Sequence, residues 1–324
     1  MALKVNKIFL LIIKIAISST LLFIVLSKTG IEQVFSTLRG MSILAFLSAI
    51  SLYILAQLIS TLRWKLLLPG VLGIRKLFSL YMIGAFFNTI LPGVIGGDAI
   101  KGFYLYQATG KGSLTFASIF MDRYLGFVML MAICAIAFPF GYKYFQGSRI
   151  EWLLPIIVLS FIIASFLFFG LRLGERIKIL AGSYDYFYAY RNQKGVIGKA
   201  LLLSAFIQLS GILSVYILAL GMGQHIPFLA CLIFLPLVIL FTTLPISISG
   251  LGVREGAFVL FFGLIGVKPG AATALSLIWF VTFVVGSLSG LVEYIRYKKE
   301  RIKNPQHALN VTIGEKLETK NKGG

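Results

Sequence analysis

The chain is poor in charge, and above all in acid. Of its 324 residues only 11 are Asp or Glu, against 30 Lys or Arg, and all charged residues together make up 13%. Soluble domains carry about 25%, so a soluble globular class is excluded. Histidine and cysteine each occur only twice. His225 and His307 have no metal-type ligand beside them and read as solvated or interfacial. Cys134 and Cys231 lie inside apolar runs and read as small buried hydrophobes. Neither a zinc site, nor a disulfide framework, nor a cysteine–histidine nucleophile is expected. G-x-S-x-G is absent, and "GGDAIKG" has too few glycines for a nucleotide phosphate loop. No catalytic set, metal or cofactor is therefore assigned. No polar block is long enough for a separate soluble domain.

What the chain has is hydrocarbon. It is 58% hydrophobic, with a mean hydropathy of +0.94. The apolar runs are long and continuous, whereas the strands of a membrane barrel alternate over about ten residues. The expected fold is all-α, a polytopic transmembrane helical bundle. The formal net charge of +19 sits mainly in loops and near the C-terminus. That pattern suits cytoplasmic membrane faces and anionic lipid surfaces, not nucleic acid.

The apolar segments are 8–26, 43–60, 77–91, 114–138, 152–171, 200–221, 227–243, 256–266 and 271–292. The first is long enough to span and is expected to stay as an uncleaved helix. Segments 77–91 and 256–266 are short, and each adjoins a Leu-Pro break: "LPGVIGGDAIKGF" at 91–103 and "LPISISGLGVREGAF" at 244–258. Short apolar segments beside Pro/Gly interruptions predict discontinuous or re-entrant helices, here near 77–103 and 227–266. The breaking residues are Pro92, Gly93, Gly96 and Gly97, then Pro245, Gly250, Gly252 and Gly256.

Basic residues fix the expected orientation. Loop 61–76 carries Arg63, Lys65, Arg75 and Lys76; loop 172–199 carries six more; the tail after 292 carries Arg296 to Lys303. These faces, and with them both termini, are expected in the cytoplasm. The two breaks then enter the membrane from opposite faces, the pattern of an inverted-topology repeat with a site near the midplane. Residues 1–297 form one membrane domain and 298–324 a basic, disordered tail. Stretch 175–193 reads as an amphipathic helix in the cytoplasmic interface, though a plain connecting loop fits nearly as well.

A charge at membrane depth costs about 2.5–3.5 kcal/mol on insertion scales, so it pairs or faces a polar cavity. Asn88, Asp98 and Lys101 surround the first break. A helix starting near Gly97 would aim its positive end at an anion such as a lipid phosphate, the reading modestly favoured; the alternatives are Asp98 as a simple N-cap and Asp98–Lys101 as an ordinary helix pair. Asp122 and Arg123 are adjacent on one helix and point about 100° apart, so each needs a partner elsewhere; Lys101 and Arg254 are candidates for Asp122. Arg254 and Glu255 follow the second break, with Ser247 and Ser249 just upstream. Arg suits phosphate because its planar fork donates two parallel hydrogen bonds, so the second break is the stronger candidate for a headgroup.

Three motifs in this order, "NTILPGVIGGDAIKG", "DRYLG" and "LPISISGLGVREG", resemble those of the lysylphosphatidylglycerol synthase transmembrane family of flippase-like membrane proteins. The resemblance covers roughly residues 8–295. It implies a helical bundle in a bacterial or archaeal inner membrane and a role in moving lipids between leaflets. It also implies functional weight at Asn88, Pro92, Gly97, Asp98, Lys101, Asp122, Arg123, Gly126, Pro245, Gly250, Gly252, Arg254, Glu255 and Gly256. The soluble aminoacyl-transfer domain of lysylphosphatidylglycerol-making members has no counterpart in the short polar tail, so the translocase-like half is what is expected. The expected partners are anionic phospholipids, with a second copy or a lipid-synthesis enzyme as further candidates. Expected chemistry is translocation of an anionic or polyprenyl-phosphate-linked lipid. The alternatives are a lipid-processing membrane enzyme and an ion-coupled transporter of a small anion.

Overall fold

The computed structural model describes residues 7–68, 70–91, 96–171, 178–243, 247 and 249–303. Pro92, Gly93 and Pro245 lie outside the described residues, as do residues 304–324 of the expected tail 298–324, whereas 298–303 continue the last helix instead of starting a disordered tail. Twelve α-helices are described: α1 (Lys7–Thr29), α2 (Ile31–Arg39), α3 (Ile43–Leu67), α4 (Ile74–Ile90), α5 (Gly96–Thr109), α6 (Gly112–Gly141), α7 (Leu153–Ser165), α8 (Lys178–Asn192), α9 (Lys194–Gly221), α10 (Phe228–Thr243), α11 (Val253–Gly263) and α12 (Pro269–Lys303). A π-helical turn, Phe166–Gly170, extends α7.

Five of these elements are long and apolar enough to cross a membrane: α3, α6, α7 with its π turn, α9 and α12. A sixth is reached if α1 and α2, which meet at 82°, count as one broken span. All nine apolar segments form helices. Two boundaries moved. The segment ending at 60 continues as helix to Leu67, because Trp64, Leu66 and Leu67 carry the apolar pattern past Arg63. The connection 27–42 contains α2, whose Ile31, Val34, Phe35 and Leu38 recur at helical spacing.

Three contacts mark the ends of the bundle. The Ser42 N–H donates to the Gly221 carbonyl at 2.8 Å, joining the start of α3 to the end of α9. At the opposite end the Tyr190 hydroxyl donates to the Leu67 carbonyl at 2.7 Å, and Ser183 donates to the Ser113 carbonyl at 3.5 Å. Helix α8 thus docks across the end of α3 and the start of α6. Its Tyr184 and Phe187 pack with Phe120, Phe168 and Phe169. The stretch expected to be amphipathic is a packed helix from Lys178; residues 175–177 lie outside the described residues. Lys65, Arg75, Lys76, Lys111, Arg191, Lys194 and Lys199 all belong to this end, which we call the basic end.

The short helices pair as two hairpins. In the first, α4 and α5 run antiparallel so closely that a Cβ on Gly97 would lie 1.8 Å from the Gly84 carbonyl oxygen. No side chain fits there. In the second, Phe234 of α10 meets Phe261 and Phe262 of α11 at 6.0 and 5.5 Å, and Gly250 approaches Thr242 near the tip. The element order from α1 to α6 is matched by that from α7 to α12. Each half has a long helix, a short amphipathic one, a long one, a hairpin of two short ones and a final long one.

Candidate functional site

Five charged side chains meet at the first hairpin. Asp98 sits in the first turn of α5, where Gly96 and Gly97 let the chain restart. The Gly97 N–H, one of the unpaired donors of that helix start, is satisfied by the Asn88 Oδ1 at 2.8 Å. Asp98 takes a two-pronged contact from Arg123, 2.7 Å from Nε and 3.1 Å from Nη2. Asp122 is fully buried and accepts from Arg63 Nε at 2.8 Å and from the Tyr81 hydroxyl at 2.9 Å. Arg63 also donates to the Ser204 hydroxyl at 2.8 Å, tying α3, α6 and α9 together. A Cβ on Gly126 would lie 3.2 Å from Arg63 Nη1, so the glycine makes room for the guanidinium.

Lys101 stands between the two acids. Its Nζ is 3.5 Å from Asp98 and 3.6 Å from Asp122, longer than the arginine contacts. It also lies 4.5 Å from the Trp64 ring centroid and 4.3 Å from that of Tyr81, so aromatic faces share its charge. Three cations (Arg63, Lys101, Arg123) therefore oppose two carboxylates (Asp98, Asp122), leaving one net positive charge. Arg63 and Lys101 are buried, but the Arg123 side chain is 40% exposed.

The second break is built differently. Arg254 and Glu255 pair with each other, Nη2 to Oε1 at 2.6 Å, because the arginine folds back along the start of α11. The Ser276 hydroxyl lies 3.0 Å from Arg254 Nε and donates to Glu255 Oε1 at 2.9 Å. The second carboxylate oxygen accepts the Gly252 N–H at 2.6 Å, capping α11. The guanidinium lies 4.5 Å over the Phe280 ring. This set is neutral, buried and closed. Gly250 and Gly252 sit at φ 76° and 81°, and Ser249 at φ 49°, so the turn needs left-handed backbone at three of four residues. Gly256 is an ordinary residue inside α11, and a Cβ there would meet nothing within 4 Å, so it takes no part in the break.

The two breaks touch through Ser249, whose hydroxyl reaches the Asn88 and Thr89 carbonyls at 3.0 and 3.1 Å. Their charged groups stay separate: among the described residues no ion pair joins Asp98 or Asp122 to Arg254. Ser247 is buried, and its hydroxyl has no partner among the described residues. Arg63, Trp64, Tyr81 and Ser204 belong to the first network but were not among the expected site residues. From sequence Arg63 reads as a loop charge, whereas it lies inside α3. The signal that marks it is the apolar pattern running on to Leu67.

Several relatives match over most of their length. A UPF0104 membrane protein of Methanocaldococcus jannaschii is 23% identical over 93% of this chain and 98% of its own. One from Pyrococcus horikoshii is 24% identical, covering 90% and 98%. One from Methanothermobacter thermautotrophicus is 24% identical, covering 77% and 84%. The family model for the lysylphosphatidylglycerol synthase TM region matches residues 11–290, across both hairpins and both charged sets, and the chain belongs to that family.

Proposed function

We propose that the protein moves an anionic lipid between leaflets and that the lipid phosphate is held at the first break. The observation that carries this reading is the unbalanced network: three cations, two carboxylates, and one cation, Arg123, that is half-exposed. A buried charge excess costs free energy until an anion joins it. A phosphodiester supplies one negative charge and two oxygens that match an arginine fork. The neutral, enclosed Arg254–Glu255 pair has no such vacancy in its charge balance, so the headgroup role moves from the second break to the first.

The arrangement also favours passage over storage. The two hairpins touch through Ser249 and Asn88, and the matching order of elements supports two halves of inverted topology with the site between them. Under the positive-inside rule the basic end faces the cytoplasm, with both termini, in a cell membrane. Purified protein reconstituted into liposomes should speed leaflet exchange of a fluorescent phosphatidylglycerol above that of empty liposomes, and Arg123→Ala should remove most of the gain. Wild type that matches empty liposomes across several anionic lipids overturns the reading. A chemically altered headgroup appearing during the assay would favour a lipid-processing enzyme instead.

A further inference from the structure

An apolar groove of about 320 Å³ lies between α6, α7 and α10, within the size range of small-ligand sites. Phe127 and Met131 of α6 form its floor, Ile157 and Phe161 of α7 one wall, and Leu240 of α10 the other. Ser160 contributes the one polar side chain, and Ile156 and Ser160 are exposed, so the groove opens toward the surrounding lipid. Helix α7 is held loosely, with Leu154 its one buried residue.

Position makes the groove informative. Phe127 is one turn beyond Arg123 and on the same face of α6, since residues four apart stack on a helix. Phe161, a groove wall, is in ring contact with Tyr124, the residue next to Arg123, with centroids 6.1 Å apart. Counting along α6, Arg123 lies about 16 Å from the basic end, and the groove continues beyond it toward the other end. A half-exposed cation is thus followed by a hydrocarbon slot along one helix.

We propose that this groove takes one hydrocarbon chain of the lipid whose phosphate sits at Arg123, so that the ligand is a lipid and not a free anion. This rests on the headgroup assignment made above. A chain leaving the bilayer for the groove gains little from the hydrophobic effect, because lipid tails are as apolar as the groove walls. The groove therefore orients the chain while the headgroup is at mid-depth, and its lining tolerates different chain lengths.

The test maps chain contacts directly. The full-length protein is incubated with phosphatidylglycerol bearing a photoreactive diazirine at the end of one chain, irradiated, digested and sequenced by mass spectrometry. Label should concentrate on peptides containing Phe127 to Met131, Ile156 to Phe161 and Leu240. Ser160→Trp should reduce it by about tenfold, because the indole occupies the space the chain would take and a packed slot leaves no room for both. Label spread evenly over lipid-facing helices, or concentrated in the apolar groove between α3 and α9 at Leu47, Leu52 and Leu213, overturns the proposal. The wild-type map decides the matter by itself if Ser160→Trp does not fold. Label in the groove without leaflet exchange would sink translocation and leave the chain site standing. Exchange without groove label would do the reverse.

Discussion

The Ser249 hydroxyl lies 3.0 Å from the Asn88 carbonyl oxygen, so the turn of the second hairpin caps the last turn of α4 in the first. The carbonyls at a helix end have no intrahelical donors, and a buried one needs a partner. Ser249 meets that need while held at φ 49°, a conformation costly for a residue with a side chain. The two halves are therefore coupled where each is broken.

This contact separates two substitutions. Ser249→Ala loses the hydroxyl and keeps the backbone cost, so stability should fall by about 0.5–1.5 kcal/mol, the net worth of a hydrogen bond. Ser249→Gly loses the same bond but adopts φ > 0 freely, so it should be the more stable of the two. Thermal unfolding in detergent reads the order. Equal midpoints would mean that the turn carries no backbone strain.

Lys101 carries the charge excess more cleanly than either arginine. Lys101→Met leaves two balanced pairs, Arg63–Asp122 and Arg123–Asp98, and places a thioether between the Trp64 and Tyr81 rings. Because Lys101 is the excess cation, its loss leaves every remaining buried charge paired and removes the cost of the uncompensated one. The unfolding midpoint should hold or rise while exchange of anionic lipid falls toward that of empty liposomes. Unchanged exchange would show that the net positive charge has no part in function.

Arg63 and Arg123 each pair with an aspartate, yet their burial predicts opposite phenotypes. Arg63→Ala removes the closest partner of a fully buried carboxylate, breaks the link to Ser204 and opens a hole beneath Gly126. Lys101 and Tyr81 remain beside Asp122, so the loss should sit at the lower end of the about 3–5 kcal/mol typical of a broken buried pair. Arg123 is half-exposed, and its loss leaves Asp98 with Lys101 in a neutral network. Arg123→Ala should therefore change stability by no more than about 1 kcal/mol while lowering exchange. Circular dichroism melts beside liposome assays distinguish the two.

Much of this is legible in the sequence. Long apolar runs with Leu-Pro interruptions mark every spanning helix and both hairpins, because hydrocarbon thickness and the loss of a proline N–H act locally. The need of Asp122 and Arg123 for separate partners follows from helix geometry alone, and Lys101 is one of the partners expected. Arg63 was hidden because a charge after an apolar run reads as the end of a span, although Trp64 and the leucines after it continue the helix. Its pairing with a residue 59 positions away is set by how α3 and α6 pack, which no local pattern encodes. The pairing of Arg254 with its own neighbour Glu255 was hidden for a different reason. It depends on the arginine folding back at a helix start, where Ser276 of α12 closes the set.

That closed set yields the sharpest division between holding the fold and handling the ligand. Arg254→Ala leaves a fully buried Glu255 carboxylate with only the Gly252 N–H and the Ser276 hydroxyl, and should cost about 3–5 kcal/mol. Its loss of exchange would then say nothing about binding. The double variant Arg254→Met/Glu255→Gln removes both charges together, keeps an oxygen for the Gly252 N–H and fills the space of the arginine stem. Replacing a buried ion pair by neutral groups of similar volume is often neutral or better. Stability should therefore return close to wild type, and exchange should return with it, since the second break acts by shaping the turn that caps α4. A double variant that folds normally yet exchanges no faster than empty liposomes would place Arg254 in contact with the headgroup after all.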